Sequence, residues 1–82
     1  TKEKLAMVER AEDLLREQGF RQFRVRIHGT NARIELLPED IPRMLDSELR
    51  KEIVDKLKRY GFTYVSLDLE GYRTGSMNEV LA

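Results

Sequence analysis

The amino-acid sequence predicts a two-layer α+β sandwich of order α-β-β-α-β, a three-stranded mixed sheet with both helices on one face. Two segments repeat apolar residues at helical spacing, and three alternate apolar with polar residues at strand spacing. Each helical segment ends in Gly-Phe and leads towards a strand. A helix with one apolar stripe needs a partner surface, and one face of a sheet supplies it.

Residues 2–18 form the first helix, with Leu5, Val8, Ala11, Leu14 and Leu15 on one stripe and Gly19 at its C-terminal stop. Two short alternating runs follow, Phe23 to His28 and Ala32 to Leu37. "HGTNA" between them is a tight-turn sequence, because Gly and Asn accept positive φ. "LPEDIPRML" opens a short helical turn, Pro38 suiting a position with no N–H partner. Asp46 or Ser47 caps the next helix, which buries Leu49, Ile53, Val54, Leu57 and Tyr60. Lys56, Lys58 and Arg59 suit its negative end, and Gly61 stops it. The third strand, 64–69, sets Val65, Leu67 and Leu69 against Tyr64, Ser66 and Asp68. Strand order 2-1-3 is preferred, since it makes a split β-α-β unit with a right-handed crossover.

"LLREQGFRQFRVRIH" and "LKRYGFTYVSLDLE" echo each other as helix, Gly-Phe, strand. Either they are two related αβ units on one sheet, or any helix-to-strand turn favours Gly followed by an apolar residue.

Eighty-two residues suit one domain, and a chain this short has a thin core. No apolar stretch approaches the roughly 18 residues a membrane span needs, and no signal-peptide pattern appears. Without cysteine there is no disulfide, no thiolate nucleophile and no Cys-based metal site; a cytoplasmic setting fits. The 15 basic and 15 acidic residues are spread evenly, eight of each sign in residues 1–41 and seven of each in 42–82. Nucleic-acid affinity draws on a net positive domain, so this balance argues against a dedicated RNA or DNA binder.

If all three strands alternate, the helix-free face carries Arg24, Arg26, His28, Arg33, Glu35, Tyr64, Ser66 and Asp68. Arg24 and Arg26 project the same way about 7 Å apart, close enough to converge on one phosphate or carboxylate. The competing reading pairs one of them across strands with Glu35 or Asp68 on a solvated face. His28 has no second histidine or cysteine to complete a metal set, and no nucleophile–base pair can be named. In "EGYRTGSMNE", Gly71 and Gly75 bracket Tyr72, Arg73 and Thr74, with Ser76 and Asn78 following. Such a loop can aim N–H groups, hydroxyls and a guanidinium at an anion.

"RVRIHGTNARIEL", "PEDIPRML" and "GFTYVSLDLEGYRTGSMNE" together resemble the C-terminal segment of the LarE family, over roughly residues 8–82. These are ATP-dependent sacrificial sulfur transferases of the PP-loop ATP-pyrophosphatase group. They adenylylate a carboxylate of a pyridinium biscarboxylate mononucleotide and install sulfur, on the way to a nickel-pincer nucleotide. The sulfur comes from a protein cysteine, or in some relatives from an iron–sulfur cluster. The resemblance implies that residues 1–82 are one C-terminal domain of a larger protein, inactive alone. The ATP-binding domain lies upstream, so ATP and Mg belong to the parent and this segment holds no cofactor. A nucleotide-like substrate, that upstream domain and further subunits of a homo-oligomer are the implied partners. Arg24 and Arg26 match the family's paired phosphate-binding arginines, Glu12 an acidic helix position and Arg73 the arginine of the closing loop. Two other classes stand beside this one: an interdomain or oligomerisation module, and a tRNA-binding module, which zero net charge and few outward aromatics rank last.

Overall fold

The computed structural model describes residues 1–73. Six elements run in order: α1 Lys2–Glu17, β1 Phe23–His28, β2 Asn31–Leu36, a 3-10 helix Pro38–Leu45, α2 Ser47–Arg59 and β3 Tyr64–Leu67. The α+β order is the expected one.

Both helices start and stop where local chemistry dictates. The Thr1 hydroxyl accepts from the Lys4 N–H at α1, and Asp46 Oδ1 accepts from the N–H groups of Glu48 and Leu49 at α2. At their far ends the same device appears twice. Gly19 (φ 95°) donates to Arg16 O and Phe20 to Leu15 O; Gly61 (φ 116°) donates to Lys58 O and Phe62 to Leu57 O. This paired 5→2 and 6→1 bonding needs a left-handed residue, which glycine supplies, and it turns the following apolar residue back onto the helix. Phe20 and Phe62 are both buried. The echo in the sequence is therefore one turn geometry used at both helix ends.

β1 and β2 pair antiparallel around a two-residue loop, Gly29-Thr30, in which only Gly29 takes positive φ (62°). Asn31, expected to share that role, is the first residue of β2. β3 pairs parallel to β2, giving the order β1-β2-β3 with β2 in the centre. The expected order 2-1-3 is corrected: after α2 the chain returns to the free edge of β2, not to β1. Thr63 N–H donates to Thr30 O, and Asp68 N–H to Ile34 O, so pairing with β2 brackets the strand on both sides. The third strand ends at Leu67 and not at 69, and Leu69, expected on the core face, is 84% exposed.

One apolar layer lies between sheet and helices. Val25, Ala32, Ile34 and Leu36 meet Ala11, Leu14 and Leu15 of α1 and Ile53 and Leu57 of α2, closed by Phe20 and Phe62. Leu5 at the start of the α1 stripe overhangs this layer and stays exposed, and Leu49, Val54 and Tyr60 of the second stripe are only half-buried. No helix of the described residues is long and apolar enough to cross a membrane.

Candidate anion-binding site

Cross-strand pairing places Arg24 opposite Glu35, Arg26 opposite Arg33, and Arg33 opposite Ser66. Val25, Ala32 and Ile34, alternating with these residues, point into the core. Arg24, Arg26 and Arg33 therefore share the helix-free face, as the alternation predicts.

The centre of this face is Glu35, whose side chain is only 5% exposed. Its Oε2 accepts from Arg26 Nε at 3.1 Å and from Arg33 Nη2 at 3.2 Å. Two guanidiniums directly opposite one another would repel. One carboxylate oxygen lying diagonal to Arg26 and two residues along from Arg33 offsets that repulsion. Arg33 Nε also stands 3.6 Å from Asp68 Oδ2. The cross-strand pairing weighed against anion binding is thus realised for Arg26, and Arg33 belongs to the cluster.

Arg24 differs. Although Glu35 is its direct strand neighbour, that carboxylate is engaged elsewhere, and the Arg24 side chain makes no hydrogen bond or ion pair among the described residues. Its guanidinium instead lies 5.9 Å from the ring centre of Tyr72. Tyr72 is brought there by its own backbone, whose N–H donates to Leu36 O, the end of β2. Gly71 makes this passage possible: at φ 86°, a Cβ would sit 2.7 Å from Leu36 O. Arg73 follows directly, its Nη2 3.9 Å from Glu70 Oε1. Over Arg24, Arg26, Arg33, Glu35 and Asp68 there are three positive and two negative groups, which leaves one positive charge.

Glu12 stands at the outer edge of β1. Its carboxylate accepts from the Val25 N–H at 3.4 Å, and no ion pair joins it to an arginine of the described residues. Val25 is the residue between Arg24 and Arg26, so Glu12 touches the backbone that carries both. His28 is exposed at the strand end, and no cluster of metal-ligating residues exists among the described residues. Thr74, Gly75, Ser76 and Asn78 lie outside the described residues.

Sequence reasoning placed Glu35 and Arg33 on the right face but missed their linkage, and missed Tyr72 as the neighbour of Arg24. A signal for the first existed. A two-residue hairpin loop fixes the register, and that register sets Arg26 against Arg33 with Glu35 beside both. The second had none, because it depends on where the chain passes after β3.

No family model matches the chain. Over 81 residues it is 48% identical to an uncharacterised protein of Synechocystis sp., a match covering 99% of this chain and 30% of that protein. Over 82 residues it is 45% identical to the pyridinium-3,5-bisthiocarboxylic acid mononucleotide synthase of Lactiplantibacillus plantarum, covering 99% of this chain and 29% of the synthase. The chain is homologous to part of a mononucleotide synthase. It spans about three tenths of the length of the curated relatives it matches.

Proposed function

We propose that this chain is the substrate-side, phosphate-contacting C-terminal module of a LarE-like ATP-dependent sulfur transferase, inactive by itself. The substrate class is a pyridinium biscarboxylate mononucleotide, and ATP, Mg and the sulfur source belong to the remainder of the protein. What carries the reading is Arg24: a guanidinium without a carboxylate partner among the described residues, beside two guanidiniums held by Glu35, on an open sheet face. Guanidiniums present fixed forks of donors that match phosphate oxygens. The 45% identity to part of a synthase named for a mononucleotide supports this ligand class, since a mononucleotide carries one phosphate. In this reading Arg24, Arg26 and Arg73 contact the phosphate, and Glu12 steadies the strand backbone between the first two.

The test is titration of inorganic phosphate into isotope-labelled chain. Amides of Arg24, Arg26 and Arg73 are expected to shift together, and Arg24→Ala to weaken binding about tenfold, the loss of one charge-assisted hydrogen bond. Unmoved amides at all three arginines would sink the proposal.

A second reading, an interdomain or oligomerisation module, is favoured by an apolar groove of about 420 Å³ lined by Ile41, Met44, Leu45, Val65, Leu67 and Leu69. Leu45 is 79% exposed there. Sedimentation of the wild-type chain and of Leu45→Glu across a concentration series tests self-association: a wild-type monomer throughout removes that form of the reading.

A further inference from the structure

The cation at the heart of the anion reading, Arg24, is held by a ring and not by a carboxylate. Its guanidinium lies 5.9 Å from the ring centre of Tyr72. The carboxylate opposite it on β2, Glu35, is taken by Arg26 and Arg33. The two kinds of partner leave a guanidinium in different states. A carboxylate binds its edge, where the N–H donors lie, and uses the same donors that a phosphate needs. An aromatic ring attracts its face and leaves that edge unused.

Tyr72 does not depend on Arg24 for its place. Its N–H donates to the oxygen of Leu36, a fully buried residue at the end of β2. Gly71, at φ 86°, lets the chain pass close to that oxygen. Leu36 in turn pairs with Phe23, the residue before Arg24. The tyrosine backbone is therefore tied to the sheet, beside the strand that carries the arginine. We propose that Tyr72 is a positioning residue for Arg24, holding its guanidinium by the face so that the N–H edge stays open to a phosphate. The proposal rests on the anion-binding reading above. A long arginine side chain with no such support has to be ordered by the ligand itself, and affinity falls by that cost. Tyr72 removes part of the cost without adding a negative charge or consuming a donor.

The experiment separates the ring from the hydroxyl. Inorganic phosphate is titrated into isotope-labelled wild-type chain, Tyr72→Phe and Tyr72→Leu, with amide dispersion confirming the fold of each. The Arg24 side-chain proton shifts are read before phosphate is added. Expected are upfield ring-current shifts of the Arg24 Hδ protons in wild type, kept in Tyr72→Phe and lost in Tyr72→Leu. Phosphate affinity should stay close to wild type in Tyr72→Phe and fall about threefold in Tyr72→Leu, the size of one exposed cation–π contact. A Tyr72→Leu chain that binds phosphate as tightly as wild type overturns the proposal and leaves the anion reading standing. Equal weakening in Tyr72→Phe and Tyr72→Leu overturns it as well, since the hydroxyl and not the ring would then matter. Wild-type Arg24 Hδ protons without a ring-current shift do the same, and that result needs no variant to fold. A wild-type chain that takes no phosphate overturns the anion reading and this proposal with it.

Discussion

At the scale of single residues, Gly71 shows how one missing Cβ shapes the site. Its φ of 86° disfavours L side chains, and its Cβ position lies 2.7 Å from a backbone oxygen that has nowhere to yield. Gly71→Ala should cost about 2 kcal/mol or more, read as a lower denaturant midpoint. It should also separate Tyr72 from Arg24, read as loss of ring-current shifts on the Arg24 side chain. The two strand arginines should behave oppositely towards stability. Arg24 has no ion pair among the described residues, so Arg24→Ala should stay within about 0.5 kcal/mol of wild type. Arg26→Ala removes one of two donors from a buried carboxylate and should cost about 1–3 kcal/mol in the same denaturant assay. Equal stability of the two variants would contradict the clamp at Glu35. The face of the strand residues Arg24, Arg26, Arg33 and Glu35 was legible from period-two alternation, whereas the place of Gly71 and Tyr72 was not. Which carboxylate held which arginine was not, since side-chain choice among Glu35, Asp68 and Glu12 depends on strand neighbours.

At the scale of elements, the ends were the clearest part of the sequence. Gly19-Phe20 and Gly61-Phe62 close both helices by the same pair of backbone bonds, and Asp46 rather than Ser47 takes the cap of α2. Asp46→Ala should lower stability by about 1 kcal/mol, which for a domain of this size is a fall of roughly 4–8 °C in the melting temperature. Ser47→Ala should leave it nearly unchanged. The ends read less well where apolar residues lie at the margin of an element. Leu5 and Leu69 continue the right periodicity but overhang the core, one at the start of a helix and one past a strand that stops at Leu67. Periodicity tells which way a side chain points, not whether anything stands opposite it.

At the scale of the whole molecule, the decisive fact is that β2 is the central strand. Its core-facing residues Ala32, Ile34 and Leu36 are almost completely buried, and its other face carries Arg33 and Glu35, the middle of the candidate site. The connection through α2 is long enough to reach either edge of the hairpin, so sequence pattern alone left β1 and β2 equal candidates for the middle. What distinguishes them in the structure is the edge of β1, where Glu12 accepts from the Val25 N–H and occupies a position a third strand would need. The molecule measures 35 × 32 × 18 Å, one sheet and one helix layer deep. A single layer of core side chains thus supports the site from behind. Leu57 of α2 is wholly buried in that layer. Leu57→Ala should cost about 2–5 kcal/mol, a large part of the roughly 4–12 kcal/mol available to a domain of this length. Thermal unfolding followed by circular dichroism should show a fall of at least about 10 °C. Because Glu35, which accepts from Arg26 Nε, sits on the same strand as the core residues Ile34 and Leu36, Arg26 Nε–Hε protection should decline with the loss of packing, although Leu57 lies on the opposite side of the sheet. Leu45→Ser, at an exposed position outside this layer, should change stability by less than about 0.5 kcal/mol. A Leu57→Ala chain that melts like wild type would mean that the sheet holds its arginines without the helix layer behind it.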